Sequence, residues 1–142
     1  MKLLLISHGK FCHGVKESYE MIAGENKDIF SLDLDNQGIG IFSEKLNKLL
    51  DELTKEDGVL VLTDIQGGTP YNEAYRYQLA NPGKIEIVSG MNLPMIIEVG
   101  MSLSSGLTNI DLATMAEDVG REAISFTSVE EDDLDDDDDI EF

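Results

Sequence analysis

Two polar residues follow short apolar runs of this sequence, and their side chains are suited to nucleophilic chemistry. His8 stands after the run KLLLIS, and Asp64 stands after GVLVLT. An aspartate that accepts a hydrogen bond from one imidazole nitrogen fixes the tautomer of the ring and leaves the other nitrogen as a nucleophile. We therefore interpret His8 as a candidate catalytic nucleophile and Asp64 as the carboxylate that orients it.

A glycine-rich segment directly after Asp64 could hold an anion beside this pair. Gly67-Gly68 precedes Thr69-Pro70, and threonine and proline are common at the start of a helix. Backbone N–H groups at Gly68 and at the helix N-terminus would face a phosphate, and the Thr69 hydroxyl would add a donor unless it caps the helix. A phosphohistidine site is one interpretation, and acid–base hydrolysis with the same groups stays open.

Simpler interpretations apply to the same region. Asp64 is also suited to capping a turn, and the two glycines to satisfying the loop geometry alone. The spacing of His8, Cys12 and His13 suggests metal ligands, but no fourth ligand is evident, so we predict no metal site. His13 is instead predicted to be a solvated residue of the first helix. The sequence has no P-loop and no G-x-G-x-x-G segment after a strand, and we predict no cofactor.

Apolar runs and helical spacing predict the elements that position these residues. Gly24 and Gly106 are predicted to end helices, and Asn92 to cap one. Strands are predicted at 2–6, 29–34, 58–63 and 85–89, and helices at 11–22, around 42–53, at 69–80, from 93 onward and around 112–119.

The alternation of strands and helices predicts a doubly wound α/β fold. We expect a mainly parallel four-stranded sheet of order 2-1-3-4 with helices on both faces. In such sheets ligands bind outside the carboxyl ends of the strands, where the strand order reverses. If the first and third strands are neighbours there, His8 and Asp64 face one crevice. Residues 123–129 (AISFTSV) are predicted to form a fifth strand.

Charge is concentrated at one end of the chain. Residues 130–142 hold 10 of the 29 acids and no base, so residues 1–129 have a net charge of −9 within the total of −19. An acidic domain argues against nucleic-acid binding and permits a basic protein partner. A single cysteine fits a reducing compartment, and the N-terminal apolar run is too short for a signal peptide. We expect a cytoplasmic protein.

Three segments of the sequence together resemble one protein family. They are LLLISHGKFCHGVKESYEMIAG, GVLVLTDIQGGTPYNEA and IEIVSGMNLPMIIE. Over residues 1–129 the chain resembles the EIIA domain of mannose-class (mannose–fructose–sorbose) sugar phosphotransferase systems. The D-x-x-GG-[ST]-P-x-N pattern from Asp64 to Asn72 makes this resemblance specific.

This resemblance implies a phosphotransferase that relays phosphate through a histidine. His8 matches the phosphorylated histidine, with the phosphate on the ring nitrogen distal to the backbone, and Asp64 matches its hydrogen-bonding carboxylate. Gly68 and Thr69 match the loop beside the phosphoryl group. The implied donor is the carrier protein HPr, and the implied acceptor is a histidine of the IIB component. The membrane components IIC and IID are indirect partners, through which the sugar is taken up and phosphorylated.

The resemblance also implies a homodimer that exchanges a C-terminal strand, for which residues 123–129 are the candidate. The segment Met91-Asn92-Leu93-Pro94 matches the family as well and is expected to line the active crevice. We predict that the domain spans residues 1–129. Residues 130–142 depart from the family pattern and are predicted to be a disordered acidic tail.

Two other functions stay open. A regulatory phosphocarrier like the subunit that feeds dihydroxyacetone kinase has a similar first strand and histidine, but that group lacks the D-x-x-GG-[ST]-P-x-N loop. A flavodoxin-like binding module would need aromatic side chains at the strand ends, where the sequence offers only Phe11 and Tyr71 and no tryptophan.

Overall fold

The computed structural model describes residues 1–132, and within them strands and helices alternate as the sequence predicts. None of the helices in this part of the chain is long and apolar enough to cross a membrane. The strands are β1 (Lys2–His8), β2 (Ile29–Leu34), β3 (Val59–Thr63) and β4 (Ile85–Ser89), and the helices are α1 (Phe11–Ala23), α2 (Ile39–Leu53), α3 (Thr69–Ala80), α4 (Leu93–Met101) and α5 (Asn109–Glu122).

The four strands form one parallel sheet of order β2-β1-β3-β4, so the predicted strand order is confirmed. Residues 3–6 of β1 and 59–62 of β3 are fully buried, as expected for central strands that are covered on both faces. The chain first adds β2 on one side of β1 and then β3 on the other. The strand order therefore reverses between β1 and β3, and His8 and Asp64 lie at the carboxyl edge of that boundary.

Helices cover both faces of the sheet, because successive side chains of a strand point to opposite faces. One core lies between the sheet and α1, α4 and α5, and the other lies between the sheet and α2 and α3. The first core takes Leu3, Leu5, Leu60 and Leu62 from the central strands, and the second takes Leu4, Ile6, Val59 and Val61.

Two predicted helix boundaries are confirmed. Gly24 ends α1 with a φ of 84°, and its N–H donates to the carbonyl of Glu20. Asn92 caps α4, since its side-chain oxygen accepts a hydrogen bond of 3.2 Å from the N–H of Met95.

The end of α4 differs from the prediction, because the helix stops at Met101 and not at Gly106. Ser102 follows it, and the Ser102 hydroxyl donates to the carbonyl of Glu98 at 2.8 Å. The Ser105 hydroxyl in turn donates to the Ser102 carbonyl. Serine side chains that bond nearby backbone groups compete with helical hydrogen bonds, so this run of serines ends the helix early.

Residues 124–130 follow α5 and form neither a helix nor a strand in this single chain. Ile124, Phe126 and Val129 in this segment are exposed, and within residues 1–132 β4 pairs with β3 alone, which leaves its other edge open there. An exchanged strand requires a second chain, so the fifth strand stays a prediction. Most of the predicted acidic tail, residues 133–142, lies outside the described part of the chain.

Candidate active site

His8 and Asp64 meet at the carboxyl edge of the sheet, as the sequence predicts. The Nδ1 atom of His8 lies 2.8 Å from Oδ2 of Asp64, and the backbone N–H of His8 donates to the same oxygen at 2.9 Å. The other carboxylate oxygen of Asp64 accepts the N–H of Ile65 at 2.9 Å. One carboxylate therefore fixes both the backbone and the ring of His8.

The charge of Asp64 determines which nitrogen of His8 carries the proton. Burial acts to raise the pKa of Asp64, but hydrogen bonds from the backbone and ring of His8 and from Ile65 lower it more, and the net pKa lies below the ordinary value. Asp64 is therefore ionised at neutral pH and accepts hydrogen bonds only, so Nδ1 of His8 must be the donor. In the neutral form of the ring, Nε2 is then the nitrogen that carries the lone pair, and the His8 side chain is 49% exposed.

The glycine loop approaches the Nε2 side of the His8 ring. Gly67 has a φ of 81°, a conformation that other residues adopt only with strain. A Cβ atom on Gly68 would lie 2.7 Å from Cε1 and 3.4 Å from Nε2 of His8. The absence of a side chain at Gly68 thus leaves room for the ring and lets the loop backbone come close to the free nitrogen.

Thr69 does not cap α3, so the capping role that its sequence position suggested is wrong. Gly68 is the N-cap, because its φ of −77° and ψ of 169° are extended, and Thr69 is already the first helical residue. Thr69 is half-buried, and its hydroxyl makes no hydrogen bond within residues 1–132. The hydroxyl is therefore available as a donor at the N-terminus of α3.

Asn72 holds the glycine loop in place. Its side-chain amide donates to the carbonyl of Gly67 at 3.1 Å, and its backbone N–H donates to the carbonyl of Gly68 at 2.9 Å. The sequence pattern that ends at Asn72 includes this residue, but only the structure shows that it ties α3 back to the loop.

A second set of hydrogen bonds holds the turn after His8, and the sequence did not reveal it. The buried Ser7 hydroxyl donates to the Gly9 carbonyl at 2.9 Å and accepts the N–H of Cys12 at 2.8 Å. The Gly9 N–H donates to the carbonyl of Leu34 at 2.8 Å. These contacts join β1, the start of α1 and the end of β2, and no local pattern encodes them.

His13 lies on α1 as predicted, and its side chain is 42% exposed, but its ring also bonds β2, which the sequence did not predict. Its Nδ1 lies 2.7 Å from the Ser31 hydroxyl and its Nε2 lies 2.7 Å from Oδ1 of Asp33, both on β2. Ser31 and Asp33 alternate along β2, so both face α1. Both ring nitrogens of His13 are thus engaged, whereas Nε2 of His8 makes no hydrogen bond within residues 1–132.

The segment after β4 lies beside the glycine loop. The Met91 N–H donates to the Thr63 carbonyl at 2.9 Å, which fixes the segment to the end of β3. Asn92 lines a groove of about 430 Å³ together with Gln66 and Tyr71. This groove runs along the open edge of β4 and His8 does not line it, so the expected place of Met91-Asn92-Leu93-Pro94 in the active crevice stays a prediction. Within residues 1–132, no group of three or more histidine, cysteine, aspartate or glutamate side chains could hold a metal ion.

Comparisons with known proteins define the class. The family model described as "PTS system fructose IIA component" matches residues 2–117. The chain is 35% identical over 113 residues to the PTS system fructose-specific EIIA component of Bacillus subtilis (strain 168), covering 79% of this chain and 76% of that protein. These matches place the chain among the EIIA components of sugar phosphotransferase systems, which act in phosphoryl transfer during sugar uptake.

Two further relatives narrow the assignment. The solved structure of the mannose/sorbose specific IIA subunit from Enterococcus faecalis superposes with a TM-score of 0.80 at 32% identity, covering 92% of this chain and 96% of that one. The mannose-specific EIIAB component of Escherichia coli (strain K12) is 28% identical over 123 residues, which are 86% of this chain and 38% of that protein. The chain belongs to the mannose-class EIIA family.

Proposed function

We propose that Nε2 of His8 accepts a phosphoryl group from phosphorylated HPr and passes it to a histidine of the IIB component in the cytoplasm. The observation that supports this most directly is the unequal state of the two nitrogens of His8. Asp64 holds Nδ1 as a donor at 2.8 Å, so in the neutral ring the lone pair lies on Nε2, beside the Gly68 backbone. Family membership supplies the direction of transfer.

The proposed reaction is a pair of balanced displacements. The Nε2 lone pair of His8 attacks phosphorus, a new P–N bond forms, and the P–N bond to the donor imidazole breaks with its electron pair returning to the donor. The Nδ1 proton stays on the ring, where its hydrogen bond to Asp64 strengthens as the ring gains positive character. In transfer to IIB, the lone pair of the acceptor histidine attacks phosphorus, and the P–N bond to His8 breaks with its electron pair returning to Nε2. The bond that forms and the bond that breaks both join phosphorus to an imidazole. The protein therefore has to position the reacting groups and stabilise charge in the transition state.

The start of α3 supports the charge stabilisation. The first N–H groups of a helix have no partner within the helix, and the helix dipole favours negative charge there. Gly68 and Thr69 occupy this end of α3, and the Thr69 hydroxyl has no competing hydrogen bond within residues 1–132. We infer that Gly68, through its backbone, and Thr69 contact the phosphoryl oxygens.

Exposed apolar side chains around the crevice support docking of a protein partner. Phe11, Ile39 and Ile65 are exposed, and each lies just after the carboxyl end of β1, β2 or β3. An apolar rim on an acidic domain fits a partner whose phosphohistidine is surrounded by apolar and basic residues.

We also propose that the chain forms a homodimer through its C-terminal segment. The open edge of β4 and the groove beside it offer unpaired backbone groups, and Ile124 and Phe126 expose apolar side chains at alternate positions. An extended segment from a second copy would complete the sheet edge. Analytical ultracentrifugation tests this: we expect a dimer for the natural chain and a monomer for Phe126→Asp. A natural chain that is monomeric at all concentrations would contradict it.

Transfer in vitro tests the proposed role of His8. The full chain is incubated with phosphoenolpyruvate, the first enzyme of the system and HPr, and the acid-labile phosphate is located by mass spectrometry. We expect one phosphoryl group on His8, and none after His8→Ala with the circular dichroism spectrum unchanged. Label on His13, or no label on the natural chain, would contradict the proposal.

A further inference from the structure

His13 forms a bridge between α1 and β2 that is built differently from the His8–Asp64 pair. Its two ring nitrogens bond the Ser31 hydroxyl and the Asp33 carboxylate, each at 2.7 Å. The side chains of His13 and Asp33 are 42% and 23% exposed. A histidine with both nitrogens engaged is poorly suited to accept a phosphoryl group, so its contacts point to a structural task near the site.

The bridge is satisfied as a hydrogen-bond network. The hydrogen bond from His13 lowers the pKa of Asp33 below its ordinary value, so this carboxylate is ionised and Nε2 of His13 donates to it. The Ser31 hydroxyl can either donate or accept, and it therefore complements Nδ1 in both protonation states of the ring. The bridge does not depend on one charge state of His13.

Besides the Ser7 hydroxyl, which accepts the N–H of Cys12, the bridge is a second anchor at the start of α1. Lys10 is the N-cap of α1 and makes no side-chain capping bond, and the first turn has no acidic residue. His13 lies in this first turn, five residues after His8 in the sequence. Asp33 is the register partner of Ser7 in the β1–β2 pairing. The turn between His8 and α1 is thus held by Asp64 on the β3 side, by the Ser7 hydroxyl, and on the β2 side by the Gly9–Leu34 hydrogen bond and the His13 bridge.

We propose that His13 is a positioning residue for phosphoryl transfer: its bridge to Ser31 and Asp33 fixes the turn that aims Nε2 of His8 at the phosphoryl donor. This inference rests on the proposed function of His8. Reacting atoms that are misplaced by about 1 Å lose up to about 100-fold in rate. Loss of the bridge should therefore lower the transfer rate at saturating donor and leave the apparent affinity for the donor unchanged.

Two substitutions at His13 and one control elsewhere test the role. His13→Ala removes the bridge, whereas His13→Gln keeps an amide with a donor and an acceptor at a spacing similar to that of the ring nitrogens. Asp28→Asn is the control, because Lys2 and Asp28 form a comparable bridge of 2.6 Å between β1 and the residue before β2. This bridge lies at the amino ends of the strands, away from His8.

Phosphoryl transfer from phosphorylated HPr is measured over a range of donor concentrations, beside the unfolding transition of each variant. We expect kcat to fall about 10- to 100-fold for His13→Ala with KM within about twofold. We expect His13→Gln to recover most of kcat, and Asp28→Asn to lose stability but not kcat. In ¹⁵N NMR spectra, His13→Ala should also shift the ring and amide signals of His8.

Three results would overturn the positioning role. His13→Ala could keep the kcat of the natural chain, Asp28→Asn could lose as much kcat as His13→Ala, or His13→Gln could have a kcat no higher than that of His13→Ala. Each of these leaves the label on His8 intact, so it would contradict the role of His13 alone. Absence of label on His8 in the natural chain would instead contradict the proposed function, and the positioning role would fall with it.

Discussion

Replacement of Asp64 by asparagine tests the orienting role of the carboxylate with almost no change in shape. In the natural chain Oδ2 accepts two hydrogen bonds from His8 and Oδ1 accepts one from Ile65. An asparagine can place its oxygen toward His8, but its NH₂ group then meets the N–H of Ile65, and two donors face each other. Asp64→Asn therefore removes the negative charge beside Nδ1 and loosens the loop.

The size of the effect follows from the bond that is weakened. A hydrogen bond to a charged group contributes about 1.5–3 kcal/mol. Since each 1.36 kcal/mol changes a rate about tenfold, complete loss would slow transfer by about 10- to 150-fold. The His8 side chain is 49% exposed, so water replaces part of the interaction and the lower end of that range applies. We expect a reduction of about 10- to 30-fold in the rate of phosphoryl transfer.

Rapid-quench measurement of phosphoryl transfer from HPr to the full chain checks this value. Asp111→Asn is the matched control, because Asp111 is also a carboxylate that accepts a backbone N–H, from Thr108 at 3.0 Å, but it caps α5. The control should transfer at the natural rate. Rates within twofold of natural for Asp64→Asn, with the fold retained, would refute the orienting role.

Two further outcomes follow from the structure. In Gly68→Ala the new Cβ would lie 2.7 Å from Cε1 of His8, so phosphoryl labelling of His8 should slow at least about tenfold. Gly14→Ala on α1 is the control, because its new Cβ meets no atom within 4 Å. It should keep the natural labelling rate, and chemical denaturation should show a free energy of unfolding higher by about 0.5–1 kcal/mol. The pKa of Asp33 is lowered by the hydrogen bond from His13, so its stabilisation is complete above the ordinary pKa of 3.8 and is lost as pH falls through the lower folded value. When the free energy of unfolding is measured as the pH is lowered, it should therefore fall less steeply for Asp33→Asn than for the natural chain. Equal slopes for the two proteins would contradict this.

Much of the fold and the central pair could be predicted from the sequence because the signals are local. The apolar runs at 3–6 and 59–62 read directly as buried central strands, and the rule for parallel sheets then places His8 beside Asp64. The glycine loop was also visible, since a pair of glycines before Thr69-Pro70 is characteristic of a turn into a helix.

The remainder depends on contacts between distant segments. The partners of His13 lie 18 and 20 residues away on another strand, and no periodicity in the sequence points to them. Thr69 was a reasonable cap from its type alone, but the extended backbone of Gly68 moves the helix start by one residue. The capping box of Thr108 and Asp111 is a local pattern in the sequence, and it begins α5 at Asn109, earlier than the apolar spacing from Leu112 predicts.

The separation of His8 and Asp64 along the chain has a consequence for folding. The two residues are 56 positions apart, and the hydrogen bonds between them exist only after β3 has docked beside β1. A partly folded chain that has paired β1 with β2 alone already contains the histidine, but it lacks the aspartate and the glycine loop. Parallel pairings of this range form late because a long loop must close first. If His8 accepts the phosphoryl group as proposed, labelling of His8 during refolding or synthesis would report when β3 has docked beside β1.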